Sequence, residues 1–151
     1  MTVIAFYHLL TTSAAAVLPV LLEKTLAGGA RAWLLCESGR GAQFSSALWT
    51  ARERSWLPHG MRGRDDESAA FCPIWITHDP EDNANDAGYL FMTDGFLPTG
   101  FDALERGFIL FDGNDDSALA TARRQWAELK KAGHPLSYWQ QEQAGGWKQQ
   151  A

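Results

Sequence analysis

The distribution of apolar and polar residues predicts alternating strands and helices in the N-terminal half of the chain. Continuous apolar runs cover Thr2–Leu9 and Ala30–Cys36, as is typical of strands buried on both faces. Between these runs, apolar residues over 17–26 recur with helical spacing and end at a glycine pair. A second helix is predicted from Gly41. This β-α-β-α order indicates parallel strands with helices packed across their faces.

The second half has a looser pattern, with shorter apolar runs separated by polar segments. Glycine-bearing polar stretches over 60–70 and 80–88 predict surface loops, and the second is expected to carry no core residues. A long helix is predicted over Ala118–Ala132, with Asp115 or Ser117 at its start. Further strands are predicted at 74–76, 89–92, 107–113 and, more briefly, in "PLSYWQQ" (135–141).

These elements together predict the architecture of one domain. The chain has 151 residues, which is an ordinary size for a single domain. We expect an α/β domain over 1–140 with a single open, mostly parallel sheet and flanking helices. The remaining residues, 141–151, are expected to form a flexible C-terminal tail.

Composition narrows the class of protein and its compartment. The formal net charge of -5 makes the chain a poor general binder of nucleic acid, because phosphate contacts need clustered lysine and arginine. Cys36 and Cys72 are expected to be buried free thiols, which fits a reducing cytosol. The N-terminus lacks the features of a signal peptide, and no uncharged apolar run reaches about 18 residues. We therefore expect a cytoplasmic protein that does not enter a membrane.

The motifs of common nucleotide-binding proteins and enzymes are missing. No glycine follows the first predicted strand, and no Walker A sequence occurs anywhere. The histidines and cysteines lack the spacing of metal ligands, so no metal site is expected. Gly39 and Gly41 have G-x-G spacing, and His78 and Asp79 follow a strand. A small nucleotide-binding protein or enzyme with a degenerate site at these four residues therefore remains an alternative.

Tryptophans beside cations are the unusual feature of the sequence. "ALWTARERSWLPHG" (47–60) holds two of the seven tryptophans, and Trp56 falls in a stretch that Pro58 and Gly60 mark as a loop. Tryptophan is enriched at interfaces as well as in cores. The sequence therefore raises the question of what covers Trp56.

A second basic and aromatic segment lies in the last predicted helix. Spacings of three and four place Arg123, Trp126 and Lys130 on one face, with Arg124 nearby. Such a face suits a short acidic peptide with an aromatic residue. The alternative is structural, because cations near a helix C-terminus favour the helix dipole and Trp126 would then belong to the core.

Several segments resemble a known family. They are "FYHL" (6–9), "LLCES" (34–38), "LWTARERSWLPHG" (48–60), "FDGND" (111–115) and "ARRQWAELKKAGHPLSYWQQEQAGGW" (122–147). Through them, nearly the whole chain resembles the chi subunit of bacterial DNA polymerase III, a component of the clamp-loader complex. The resemblance implies a mononucleotide-binding-like fold that holds no nucleotide or other cofactor and catalyses no reaction.

The resemblance also implies an adaptor with two protein partners. One surface would bind the psi subunit of the clamp loader, and the chain would be a monomer until psi binds. The other would bind the acidic C-terminal tail of single-stranded DNA-binding protein, so that DNA is reached only indirectly. The implied psi-binding residues are Trp49, Trp56, Leu57 and Pro58, with Trp49 packed beneath Trp56.

For the tail-binding site, the resemblance carries over to the last long helix. Arg123 and Trp126 fall on matching positions of the family pattern, and Arg124 and Lys130 are added because they lie close by. The chain departs from the family at two positions that are often basic, where it has Leu119 and Ala127.

Overall fold

The computed structural model describes residues 2–50 and 57–151. Three helices and eight strands follow one another along the described chain. The helices are α1 (Ala14–Ala27), α2 (Gly41–Thr50) and α3 (Asp116–Lys131), with a 3-10 helix at Asp66–Phe71. The strands are β1 (Val3–Leu9), β2 (Ala32–Leu35), β3 (His59–Met61), β4 (Ile74–Thr77), β5 (Tyr89–Met92), β6 (Arg106–Asp112), β7 (Leu136–Gln141) and β8 (Trp147–Gln149).

All the strands belong to one open sheet in the order β3-β4-β2-β5-β6-β1-β7-β8. Every pairing is parallel except that of β7 with β8, which is antiparallel. The predicted fold class, a single open and mostly parallel α/β sheet, is confirmed. Asp115 caps α3, because its Oδ1 accepts hydrogen bonds from the backbone N–H groups of Ser117 (2.9 Å) and Ala118 (3.3 Å).

The sheet separates two hydrophobic cores. Leu18 and Leu22 of α1 and Phe44 and Leu48 of α2 pack in the core on one face. Leu129 and its neighbours on α3 pack in the core on the other face. Helices α2 and α3 therefore lie on opposite sides of the sheet, which separates the two tryptophan-bearing segments in space.

The loop over 80–88 was expected to carry no core residues, and this prediction was wrong. Asn85 and Ala87 are both buried. Asn85 Nδ2 donates to the backbone carbonyls of Ala32 (3.0 Å) and Cys72 (2.9 Å). Because the β4–β5 connection contains no helix, a buried amide from the loop satisfies backbone acceptors at the start of the neighbouring strands.

The segment over 60–70, predicted as a loop, contributes an edge strand. His59–Met61 pairs with β4, and a three-residue strand centred on glycine gives little apolar signal. Gly60 is required there, since a Cβ would lie 2.5 Å from Cys72 Sγ. Both cysteines are free, but only Cys36 is buried, whereas Cys72 is partly exposed.

The C-terminal segment, expected to be a flexible tail, contains a strand. Trp147–Gln149 forms β8 against β7, and the hairpin turns through Gly145, whose φ is +91°. The Trp147 ring packs edge-on against Tyr7 at 5.0 Å. A short polar strand of "WKQ" has almost no hydrophobic alternation, so its pairing depends on the hairpin and on this single aromatic contact.

Candidate functional site

A cleft of about 680 Å³ lies at the carboxyl edge of the sheet, at the ends of β1, β2, β5 and β6. Strands β1 and β6 are neighbours, yet the helices that follow them cover opposite faces. Ligands of open α/β sheets bind at such switch points. The cleft is therefore where a nucleotide would sit if this fold held one.

The lining of the cleft disfavours an anionic ligand. Four carboxylates, those of Glu37, Asp94, Asp112 and Asp115, line it, and among the described lining residues Arg40 is the only cation. Arg40 is paired with Asp94. Asp94 also accepts a hydrogen bond from the backbone N–H of Glu37 at 3.1 Å. The Asp94 carboxylate thus occupies both the Arg40 guanidinium and the Glu37 N–H group, which a bound phosphate would need.

The residues of the alternative nucleotide site do not converge on this cleft. None of Gly39, Gly41, His78 and Asp79 lines it. Gly41 begins α2, and a Cβ there would lie 2.9 Å from Met61 Sδ, so close packing explains this glycine. Within residues 2–50 and 57–151, no group of three or more His, Cys, Asp or Glu side chains is placed to hold a metal ion.

Trp49 stands out on the α2 side of the sheet. It lies in the last turn of α2 with 59% of its surface exposed, and its ring is 5.0 Å from that of His59. Pro58, the residue before His59, is half-buried, whereas Leu57 is 4% exposed and belongs to the core. Leu57 therefore supports this surface from beneath. Trp56, the fourth residue expected here, lies outside the described residues.

His59 holds the segment after Trp56 against α2. Its Nδ1 lies 2.8 Å from the Leu57 carbonyl oxygen and its Nε2 lies 2.8 Å from Ser45 Oγ. A neutral ring satisfies both contacts, with Nδ1–H donating and Nε2 accepting. Burial lowers the pKa of His59, and the nearby Arg64 guanidinium adds to this effect. The ring is therefore neutral at pH 7.

On the opposite side of the sheet, α3 presents the predicted basic and aromatic face. Arg123 and Lys130 are exposed, and Trp126 between them is half-buried. Trp126 packs edge-on against Phe6 (5.2 Å) and Tyr138 (5.8 Å). The indole thus packs against the core and also borders solvent, which is compatible with either interpretation of this residue.

Helical geometry places one of the predicted tail-binding residues, Arg124, on a different side of α3 from the others. Arg124 lies two positions before Trp126, which places it about 160° away around the helix axis. Arg124 is exposed on that side. Of the two positions that depart from the family pattern, Leu119 is half-buried against the core and Ala127 is exposed. The structure thus groups Arg123, Trp126 and Lys130.

Two residues that the sequence analysis did not select complete this face. The Tyr138 hydroxyl lies 2.7 Å from His8 Nδ1, and the Tyr138 ring borders Trp126. Burial, and then the positive charge of Arg123, lowers the pKa of His8, so Arg123 acts directly on this pair. Alternation along "LSYWQQ" places Tyr138 and Trp139 on opposite faces, but it does not show which of them lies on the side of α3.

Comparison with known proteins assigns the chain to a family. None of the described helices is both long and apolar enough to cross a membrane. A search of curated proteins found no match. The model of the family described as DNA polymerase III chi subunit, HolC, matches residues 1–137, which is most of the chain. The chain therefore belongs to the DNA polymerase III chi subunit family, whose members are accessory subunits of the replicative polymerase.

Proposed function

We propose that this chi subunit is a non-catalytic bridge within the DNA polymerase III holoenzyme. It binds the psi subunit of the clamp loader through one surface. It binds the acidic C-terminal tail of single-stranded DNA-binding protein through another. The protein acts in the cytoplasm, needs no cofactor, reaches DNA only through its partners and is a monomer until psi binds.

The placement of the two tryptophan-bearing surfaces carries this proposal. A bridge must hold both partners at once, so its binding surfaces must not overlap. Trp49 lies at the end of α2 and Trp126 lies on α3, and these helices pack on opposite faces of the sheet. Two partners can therefore bind without competing for space. A second attachment point raises the effective concentration of the coated DNA strand near the clamp loader.

The surface around Trp49 suits an apolar partner. Its exposed indole is rigidly supported by His59, which is itself fixed through both ring nitrogens. Exposed, well-supported tryptophans are frequent hot spots of protein interfaces. Burial of an indole depends little on salt, so the psi contact should tolerate high ionic strength. Trp56 and Pro58 complete the proposed surface, and the buried Leu57 anchors it to the core.

The α3 surface suits an acidic peptide. No ion pair among the described residues engages Arg123 or Lys130, so these cations are available to an incoming carboxylate, whereas Arg124 projects from the other side of the helix. Trp126 offers an apolar edge between Arg123 and Lys130. A flexible peptide loses entropy when it is ordered, and exposed charge pairs are screened by salt. The tail contact should therefore be weak and sensitive to salt.

The carboxyl-edge cleft supports a role without nucleotide chemistry. Its carboxylates repel phosphate, and Arg40 is occupied by Asp94. A thermal-shift screen with nucleotides should therefore give no stabilisation of the folded protein. Stabilisation by a nucleotide would favour the alternative of a small α/β nucleotide-binding protein.

A capture experiment tests the bridge directly. A clamp loader containing psi is immobilised, the chi subunit is added, and then either intact or tail-deleted single-stranded DNA-binding protein is passed over it. We expect retention of the intact protein only, and only when chi is present. Arg123→Ala should abolish this retention while chi itself stays bound, whereas Trp49→Ala should weaken the binding of chi to the clamp loader. Equal retention of the tail-deleted protein would contradict the proposal.

A further inference from the structure

The β7–β8 hairpin extends the sheet beyond the region that α3 covers. α3 packs over β6 and β7, and β8 lies one strand further out at the edge. The match to the chi family ends at residue 137, so nearly all of this hairpin lies beyond it. The face of the hairpin on the α3 side forms a ledge next to the surface that carries Arg123 and Trp126.

Strand alternation determines which side chains lie on this ledge. Tyr138 packs in the core on the α3 side, whereas Trp139 and Trp147 pack on the other side of the sheet. Gln140, two residues after Tyr138, therefore shares its face. Lys148 lies directly opposite Gln140 in the antiparallel register and points to the same side.

A single cross-strand row connects Lys148 to the α3 surface. His8 of β1 pairs with Gln140 of β7, and Gln140 pairs with Lys148 of β8. Neighbouring strands are about 4.8 Å apart, so the row spans roughly 10 Å. Burial, and then the positive charge of Arg123, lowers the pKa of His8, and His8 hydrogen-bonds to Tyr138. Lys148 therefore lies two strands out from His8, on the same face of the sheet as the α3 surface that carries Arg123.

The charges on this face of the sheet favour an acidic ligand. Lys148 is exposed, and among the described residues neither it nor Arg123 takes part in an ion pair. The paired rings of Trp126 and Tyr138 provide an apolar site between these cations. Carboxylates on either side of one apolar side chain would match this arrangement.

We propose that the β7–β8 hairpin is part of the tail-binding site, with Lys148 as a second cation on the same face as Arg123 and the Tyr138 ring as the apolar contact beside Trp126. The occupant is a short peptide that carries several carboxylates and an apolar side chain. This inference rests on the proposed binding of the tail of single-stranded DNA-binding protein. It adds residues of the hairpin that alter affinity and salt dependence.

The test uses the full-length protein and a peptide that copies the last residues of the organism's own single-stranded DNA-binding protein. Binding is measured by calorimetry at low and moderate salt for the native protein, Lys148→Ala and Lys24→Ala. Lys24 is the matched control, because it is an exposed cation on α1, on the other face of the sheet. Lys148 is exposed at the sheet edge, so its replacement leaves the core intact.

We expect Lys148→Ala to raise Kd about two- to fivefold and to reduce its salt dependence, as for the loss of one exposed charge pair. Lys24→Ala should leave both unchanged. Tyr138→Phe should also weaken binding, because it removes the hydroxyl that hydrogen-bonds to His8 and holds the Tyr138 ring in place. If Arg123→Ala weakens binding but Lys148→Ala behaves like Lys24→Ala, the hairpin proposal is overturned and the tail-binding function stands. If the folded native protein does not bind the peptide, both fail.

Discussion

Replacement of Trp49 by alanine should weaken the binding of psi and leave the stability of the fold nearly unchanged. The indole lies in the last turn of α2, with 59% of its surface exposed and one ring contact to His59. Alanine is a good helix former and leaves no cavity at an exposed site. The free energy of unfolding should therefore change by less than about 1 kcal/mol.

The expected loss of binding follows from the exposed area. A tryptophan side chain can bury up to about 250 Å², so the exposed fraction of Trp49 offers about 150 Å² to a partner. At about 25 cal/mol per Å², complete coverage would contribute no more than about 4 kcal/mol. Incomplete coverage makes about 2–3 kcal/mol the reasonable expectation, which is a roughly 30- to 150-fold increase in Kd for psi.

The assay is calorimetric titration of psi from the same organism into native protein, Trp49→Ala and Phe71→Ala. Phe71 is a matched control, because it is 79% exposed but is the last residue of the 3-10 helix, whose Ala69 packs on the α3 side of the sheet. Thermal unfolding of each variant is measured in the same buffer. Native affinity for psi in Trp49→Ala, together with a loss in Phe71→Ala, would refute the assignment of this surface.

Three further predictions concern stability and reactivity. Burial opposes ionisation of Asp82, but hydrogen bonds, above all those from Arg62, outweigh burial and lower the pKa of Asp82. The ionised Asp82 therefore stabilises the fold above the ordinary pKa of about 3.9, and this stabilisation is lost as the pH falls through the folded pKa. Asp82→Asn should lower the free energy of unfolding at pH 7 by about 1–2 kcal/mol and flatten its acid dependence in urea titrations; an unchanged acid limb would contradict this. Asn85→Ala leaves buried backbone carbonyls unpaired and should cost about 2–3 kcal/mol in the same assay, whereas a cost near zero would mean that water replaces the amide. Burial raises the pKa of Cys36 to about 12, so a thiol reagent should modify only Cys72 in the folded protein and both thiols in denaturant.

The sequence predicted those parts of the fold that depend on long apolar patterns. The runs at Thr2–Leu9 and Ala30–Cys36 gave buried parallel strands, because strands covered on both faces contain few polar residues. Asp115 could be recognised as a helix cap because capping chemistry is local. The order of strands in the sheet, by contrast, depends on packing between distant segments and had no local signal.

The features that the sequence did not predict share a different physical cause. β3 and β8 are three-residue edge strands, and Asn85 is a polar residue buried for its hydrogen bonds. These features are stabilised by residues that are distant in the sequence, so the local pattern of apolar and polar residues does not indicate them. At the candidate sites, spacing brought Arg123, Trp126 and Lys130 together, but it could not show that Tyr138 borders them from another element.

The measurement that tests the central claim most directly is calorimetric titration of the single-stranded DNA-binding protein's tail peptide at two salt concentrations. Arg123→Ala and Trp126→Ala are compared with the native protein. Arg124→Ala is the matched control, since Arg124 projects from the other side of α3. We expect binding that weakens with salt, is lost in the first two variants after their folding has been verified, and is nearly unchanged in Arg124→Ala. Absence of binding by the native protein, or equal binding by all three variants, would contradict it.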